Sequence, residues 1–343
     1  MLVRSRAPLR LGFGGGGSDL SPYCDLYGGY VLNATISLFV YAHLCPSPDG
    51  IPRFTAADRC AQAELTGAEF TLESSLALHK GVYDRIRREY CGNGPLPVHL
   101  TTYSDVPPGS GLGSSSTLAV AMVDAFREYL NLPLGEYDVA RLAYEIERNE
   151  VGFPGGRQDQ YAATFGGFNF MEFSAQERVI VNPLRIRTHT ALELEASLLI
   201  CTSNVPRDSD AVIREQAVNI QAGDEEALNA THNLKQEALV MKEALLKGDL
   251  KLFARTLEAG WLSKKRTSRS VSSPDLERLH RVALAAGATA GKVSGAGGGG
   301  FMLFFIEPAR RPEVIRALEQ QGCRIQTVHF TESGVASWRG NQE

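Results

Sequence analysis

The chain has 343 residues, 43% of them hydrophobic and 22% charged, and a net charge of −4. That composition is ordinary for a soluble globular protein, leaves room for two domains with separate cores, and carries no basic footprint for nucleic acid. No apolar run approaches the ~20 residues that cross a bilayer, and Met1-Leu2-Val3-Arg4-Ser5-Arg6 lacks the long apolar core of a signal peptide.

Cys24, Cys45, Cys60, Cys91, Cys201 and Cys323 are scattered without paired spacing. This fits reduced thiols in a cytoplasmic protein, not a disulfide frame or a zinc site. The histidines form no pair at the helical spacing of a zinc site either.

A short strand is expected to run into Arg10, followed by a first glycine cluster, Gly12-Phe13-Gly14-Gly15-Gly16-Gly17-Ser18-Asp19. Arg10 and Asp19 are the charges beside this crowded backbone; they serve either a small polar ligand or a flexible turn. Residues 29–45 read as one or two strands, rich in Tyr30, Val31, Ile36, Val40 and Tyr41. Prolines 46, 48 and 52 with Asp49-Gly50 predict turns between short strands over 46–70. A helix over 75–90, stopped by Gly92 and Gly94, and a strand over 96–103 come next.

The stretch Val106-Pro107-Pro108-Gly109-Ser110-Gly111-Leu112-Gly113-Ser114-Ser115-Ser116-Thr117 organises the rest. Beyond it Leu118, Met122, Phe126, Tyr129 and Leu130 have helical spacing. A glycine-rich turn opening a helix presents unpaired backbone N–H groups at the positive end of the helix dipole. Residues Pro108, Gly109, Ser110, Gly111, Leu112, Gly113, Ser114, Ser115 and Ser116 therefore read as a phosphate cradle. No Gly-Lys-Ser/Thr closes it, as a Walker loop requires, and no strand–loop–helix unit with a downstream acid marks a dinucleotide fingerprint.

Residues 136–151 form an amphipathic helix with Val139, Leu142, Ala143 and Ile146 on one face and Glu147 at its edge. A lone glutamate there is usually a solvated acid, and an aspartate such as Asp159, at the start of the turn after Gly152–Gly156, is commonly an N-cap. Strands are expected over 166–173 and 179–186. A composition shift near residue 187 divides the chain into 1–187 and 188–343. Helices then dominate 208–263, breaking near Gly223 and Gly248. A basic cluster, Lys264-Lys265-Arg266 with Arg269, leads to a helix opened by Ser273-Pro274-Asp275 and stopped by Gly287. A third glycine cluster, Lys292-Val293-Ser294-Gly295-Ala296-Gly297-Gly298-Gly299-Gly300, precedes the strand 301–306. A helix over 312–321 and strands near 323–330 and 334–338 finish a compact α+β second domain.

Three glycine clusters and the Glu147/Asp159 pair, in this order, resemble the GHMP kinases: galactokinase, homoserine kinase, mevalonate kinase and phosphomevalonate kinase. Ala7 to Asp19 resembles the first family motif, Pro107 to Ser116 the ATP-phosphate loop, and Ser294 to Gly299 the third motif. The resemblance implies an α+β GHMP kinase fold, with a ribosomal-protein S5-like N-terminal domain, a ferredoxin-like C-terminal domain, and ATP and acceptor meeting between them. It implies Asp159 as the base toward the acceptor hydroxyl, with Arg10 beside it. Ser115 and Glu147 would ligate Mg²⁺, and Asp19 would bind sugar hydroxyls. Gly295, Gly297 and Gly298 would close over the transferring phosphate.

Where galactokinases carry a glutamate and a histidine on the sugar, this chain has Gly16 and Gly17, so the acceptor pocket is enlarged. The Gly-Gly-Gly-Gly-Ser-Asp-Leu form resembles the subgroup that phosphorylates D-glycero-D-manno-heptose 7-phosphate at its anomeric carbon and feeds GDP-heptose synthesis for bacterial capsule and surface polysaccharide. Such an acceptor brings a second phosphate, for which Arg157, Arg207, Lys264, Lys265 and Arg269 are the candidates. The expected partners are ATP and a sugar phosphate, without nucleic acid or membrane; a homodimer is compatible with these features. The competing readings are a kinase for another sugar such as L-fucose or galactose, and a non-catalytic sugar and ATP sensor.

Overall fold

The computed structural model describes residues 1–64, 76–203, 205 and 208–340. Its strands are β1 (Leu2–Gly14), β2 (Gly29–Pro46), β3 (Arg53–Ala56), β4 (Ala61–Glu64), β5 (Val98–Ser104), β6 (Phe168–Phe173), β7 (Val179–Pro183), β8 (Leu198–Thr202), β9 (Ala288–Val293), β10 (Phe301–Ile306), β11 (Ile325–Gln326) and β12 (Ala336–Gly340). Eight of them form one sheet, in the order β12-β1-β2-β5-β3-β4, with β6 on β2 and β7 on β6. The second sheet is β11-β8-β10-β9.

The 18-residue β2 is the spine of the first sheet. Along one edge it pairs with β1, and along the other with β6 over its first half and β5 over its second. Pro8 cannot donate to the ladder, and the β1–β2 register slips between Pro8 and Leu9. Beyond that bulge Arg10 lies opposite Thr35, and its backbone N–H donates to Leu112 O at 3.1 Å, in the glycine-rich loop over 106–117.

The helix after that loop spans Ser114–Leu130 and buries Leu118, Met122 and Phe126 as the spacing predicts. It starts four residues before Leu118, because Gly113 is its N-cap. Gly113 has φ +81°, a conformation that costs little only for glycine, and it offers no side chain to the first-turn N–H groups. The amphipathic helix expected over 136–151 is α-helical over Glu136–Tyr144 and then widens into a π-helical turn, Glu145–Glu150.

Three helices, Ser209–Gln221, Glu225–Lys247 and Leu250–Lys265, start on the side-chain caps Asp208, Asp224 and Asp249. Their breaks at Gly223 and Gly248 fall where expected. The division at 187/188 lies between β7 and the helix Thr188–Ser197. The chain crosses it again at the end, where β12 joins β1 in the first sheet. The main core crosses it too, combining Leu9, Leu11 and Phe126 with Met241, Phe253 and Phe301.

Two strands differ from expectation. The strand over 179–186 ends at Pro183, which has no N–H to extend it. The strand near 323–330 shrinks to Ile325–Gln326 plus an isolated bridge between Phe330 and Ile36, because the chain there leaves the second sheet for the first.

Candidate active site

Arg10 and Asp159 are 149 residues apart and form a bidentate pair, Nε to Oδ1 at 2.6 Å and Nη2 to Oδ2 at 2.8 Å. Arg10 is 4% exposed, and its remaining Nη1 donates to Gly111 O at 2.8 Å. One guanidinium thus ties the carboxylate to the phosphate loop. Asp159 sits in the first turn of the helix Gln158–Phe165, and a Cβ on Gly113 would lie 3.2 Å from its Cγ. The loop and the acid are therefore in contact.

Asp19 is buried in the first glycine cluster. Its Oδ1 accepts from Gly17 N at 3.0 Å and its Oδ2 from Gln158 N at 3.2 Å. A Cβ on Gly156 would fall 1.9 Å from Asp19 Oδ2, so a glycine there is what allows this approach. Arg10, Gly16, Gly17, Asp19 and Asp159 line one cavity of about 270 Å³ together with Gly109, Gly111, Gly113, Ser114, Ser115, Ser116, Glu147, Lys264 and Gly295.

Three residues of the predicted cradle do not face this cavity. Leu112 turns into the core, Ser110 is buried with its carbonyl accepting from Phe301 N at 2.9 Å, and Pro108 lines a separate small hollow with Val40 and Leu118. They shape the loop rather than its open surface.

Glu147 is fully buried (0% exposed). Its Oε2 accepts from Gln160 Nε2 at 2.7 Å, and the same amide donates to Ser116 Oγ at 3.1 Å. Its Oε1 lies 3.1 Å from Arg148 Nη1 but receives no well-aligned hydrogen bond. A solvated helix acid would not look like this. A buried carboxylate that lines the same cavity as Ser114, Ser115 and Ser116 makes a hard-oxygen donor set of the kind that suits Mg²⁺. Among the described residues no three His, Cys, Asp or Glu side chains gather as a protein-only metal cage.

The structure sorts the basic candidates. Arg157 is a correction: it does not reach the cavity, and its buried guanidinium donates to Ser174 O at 3.1 Å, Ser21 Oγ at 3.0 Å and Asp25 Oδ1 at 2.8 Å. Lys265 pairs with Glu277 at 3.1 Å and lies over the Trp261 ring, and Arg269 is exposed outside the cavity. Arg207 lies outside the described residues. Lys264 lines the cavity, donates to Gly16 O at 2.9 Å, and stands 3.0 Å from where a Gly17 Cβ would be.

In the third glycine cluster Gly295 and Ala296 line the cavity, but Gly297 and Gly298 do not. A Cβ on Gly297 would meet Val271 O at 2.8 Å, and Gly298 N donates to that same carbonyl at 2.8 Å, so both pack on the second domain. Four further residues are brought to the site without having been singled out: Arg148, Gln158, Gln160 and Lys292. Lys292 stood inside the third cluster, where its signal was visible. Its Nζ donates to Gly12 O at 2.9 Å and Phe13 O at 3.1 Å. Burial, with Lys264 and Arg10 nearby, pushes its pKa down to about 7.

A glycine-rich loop opening a helix, a carboxylate clamped by an arginine and a polar cavity between them fit a phosphotransferase with an alcohol acceptor. The chain matches the family models of the GHMP kinase N-terminal domain over residues 77–167 and the C-terminal domain over 241–324. It is 49% identical over 338 residues to the D-glycero-alpha-D-manno-heptose 7-phosphate kinase of Campylobacter jejuni, covering 98% of this chain and 99% of that one. A crystal structure of a D-glycero-D-manno-heptose 1-phosphate kinase from Bacteroides thetaiotaomicron superposes with a TM-score of 0.84 at 43% identity, covering 99% and 100% of the two chains. Lactococcus lactis galactokinase, at 18% identity, shares the fold with a TM-score of 0.74 over 98% of this chain and 95% of its own. The chain belongs to the GHMP kinases and has their two-domain α+β fold.

Proposed function

We propose that this kinase transfers the γ-phosphoryl of ATP, with Mg²⁺, to the anomeric hydroxyl of D-glycero-D-manno-heptose 7-phosphate and yields the 1,7-bisphosphate. The observation that carries the acceptor is Lys264. It enters the same cavity as the Arg10–Asp159 pair, beside Gly16 and Gly17, where a second phosphate could be met. The likeness to a heptose 7-phosphate kinase at 49% identity supports the same reading.

In this mechanism Asp19 and Gln158 orient sugar hydroxyls. The acceptor oxygen attacks the γ-phosphorus while the bond from that phosphorus to the β,γ-bridging oxygen breaks. The hydroxyl proton passes to Asp159 and ADP leaves. Arg10 holds the carboxylate by two hydrogen bonds and fixes its distance to the phosphate loop. The uncapped first turn from Ser114 to Ser116 meets phosphate oxygens with backbone N–H groups. Glu147 and Ser115 would hold Mg²⁺, which supplies charge compensation for those oxygens when bound. The reading extends to the cytoplasm, which six free cysteines fit, and to a supply of activated heptose for surface polysaccharide.

The test is ADP release with heptose 7-phosphate and with the free heptose. One charged hydrogen bond contributes roughly 10–150-fold in affinity, so kcat/KM should favour the phosphorylated sugar by well over tenfold. Lys264→Ala should shrink that preference and spare ATP binding. Equal efficiency on both sugars removes the sugar phosphate, and better turnover of L-fucose or galactose replaces it.

A further inference from the structure

Arg148 is a charged residue at the centre of the site with no part in the steps above. The π-helical turn brings it, directly after Glu147, against the phosphate loop. Its Nη2 donates to Ser116 Oγ at 3.0 Å and its Nη1 lies 3.1 Å from Glu147 Oε1. Its other contacts are long, to Phe153 O at 3.3 Å and to Pro154 O and Gly156 O at 3.4 Å each. A Cβ on Gly155 would lie 2.3 Å from its Cζ, so the guanidinium lies flat against a glycine that leaves it room. Among the described residues Glu147 is its one carboxylate partner, and Arg148 itself lines the cavity.

We propose that Arg148 is the counter-ion of Glu147 in the nucleotide-free enzyme and becomes a ligand of the γ-phosphate when metal and ATP bind. This rests on the reading that Glu147 holds Mg²⁺. A divalent cation on Glu147 repels a guanidinium within about 3 Å of the same carboxylate. The triphosphate, arriving at the Ser114–Ser116 turn, offers that guanidinium a better partner. The planar fork of arginine matches phosphate oxygens, and its long carbonyl contacts are weak enough to give up. Glu147 and Arg148 therefore trade partners, and neither charge is left buried alone.

The test uses Arg148→Gln and Arg148→Lys, with no sugar present, so its outcome does not depend on which acceptor the enzyme takes. Affinities for a non-hydrolysable ATP analogue and for ADP are measured with Mg²⁺ by calorimetry. Arg148→Gln should weaken the ATP analogue by about 10–150-fold and ADP by less than threefold, with Arg148→Lys in between. In the nucleotide-free protein, Mn²⁺ binding read by electron paramagnetic resonance should tighten in Arg148→Gln, because Glu147 has lost its resident cation. Equal weakening of both nucleotides would reduce Arg148 to a structural brace and overturn the proposal. Unchanged ATP-analogue affinity, or unchanged Mn²⁺ affinity, would do the same.

Discussion

Replacing Asp159 by Asn separates the chemistry of the site from its architecture. The amide keeps the shape of the carboxylate but cannot take up the acceptor proton, and a positioned general base contributes about 10²–10⁴-fold. The structural cost can be estimated from the contacts. Arg10 is 4% exposed and loses a bidentate partner at 2.6 and 2.8 Å. Breaking a fully buried pair costs about 3–5 kcal/mol. Here the cost is smaller, because the Asp159 side chain is 18% exposed, Asn Oδ1 can still accept one hydrogen bond, and Arg10 keeps Gly111 O at 2.8 Å. A loss of about 1–3 kcal/mol in stability follows. The variant should therefore remain folded at 25 °C, unfold at a lower temperature, bind ATP nearly normally, and release ADP at least about a hundredfold more slowly. Coupled ADP-release kinetics, nucleotide titration and thermal unfolding read the three effects separately. Activity within a factor of a few of the wild type, in a protein shown to be folded, would refute the role of Asp159.

Three other perturbations test neighbouring parts of the argument. Glu147→Gln removes a charge from a fully buried position, and the Mg²⁺ concentration for half-maximal rate should rise at least about tenfold; an unchanged titration would return Glu147 to a structural role. Gly113→Ala forces a Cβ onto a residue at φ +81° and against Asp159, costing about 1–2 kcal/mol in unfolding free energy and lowering kcat; normal kcat would show that the loop does not set the position of the acid. His79 is buried on Thr102 Oγ1 at 2.8 Å, and burial, with Arg59 adding to it, lowers its pKa to about 4. The unfolded chain binds a proton there at a pH where the folded one does not, so stability should fall by about 2 kcal/mol between pH 7 and pH 5. Denaturant unfolding should show a pH dependence about 2 kcal/mol smaller in His79→Gln than in the wild type, the remainder coming from groups such as His43 and His232, whose pKa values burial also lowers.

Most of the candidate site was legible because its residues belong to local patterns. Arg10 and Asp19 flank one glycine run, Ser114–Ser116 close a second, and Asp159 follows a Pro-Gly-Gly break. What was not legible depends on which way a side chain turns. Arg157 sits two residues before Asp159, and two steps along a helix rotate a side chain by about 200°. It consequently points to Asp25 and Ser174 while Asp159 faces Arg10. Lys264 and Lys265 are adjacent and face the cavity and Glu277 respectively. Arg148 was hidden for a different reason: the α-helical reading of 136–151 set only Glu147 at the edge of the site, whereas the chain forms a π-helical turn there and Arg148 also reaches Ser116 Oγ. The strand near 323–330 failed because local pattern cannot reveal that the chain changes sheets there.

The glycine clusters look redundant along the sequence, but in space they do different work. The first lets buried Asp19 approach backbone, with Gly156 supplying the matching gap from another segment. The second opens a helix without a side-chain cap. The third acts as a clamp: Ser294 Oγ donates to Gly111 O at 3.0 Å, Phe301 N to Ser110 O at 2.9 Å, and Lys292 to the carbonyls of Gly12 and Phe13. These bonds run from the second half of the chain onto both earlier clusters. In-line phosphoryl transfer needs acceptor and donor held within fractions of an ångström, and much of its acceleration comes from that positioning. Arg10 bonds Asp159 and Gly111 at once, while the clamp holds Gly111 and Gly12 from the other side. Arg10, the residue that holds Asp159, is therefore fixed to the glycine-rich loop by bonds from two other segments as well as its own, which ties the three clusters into one unit.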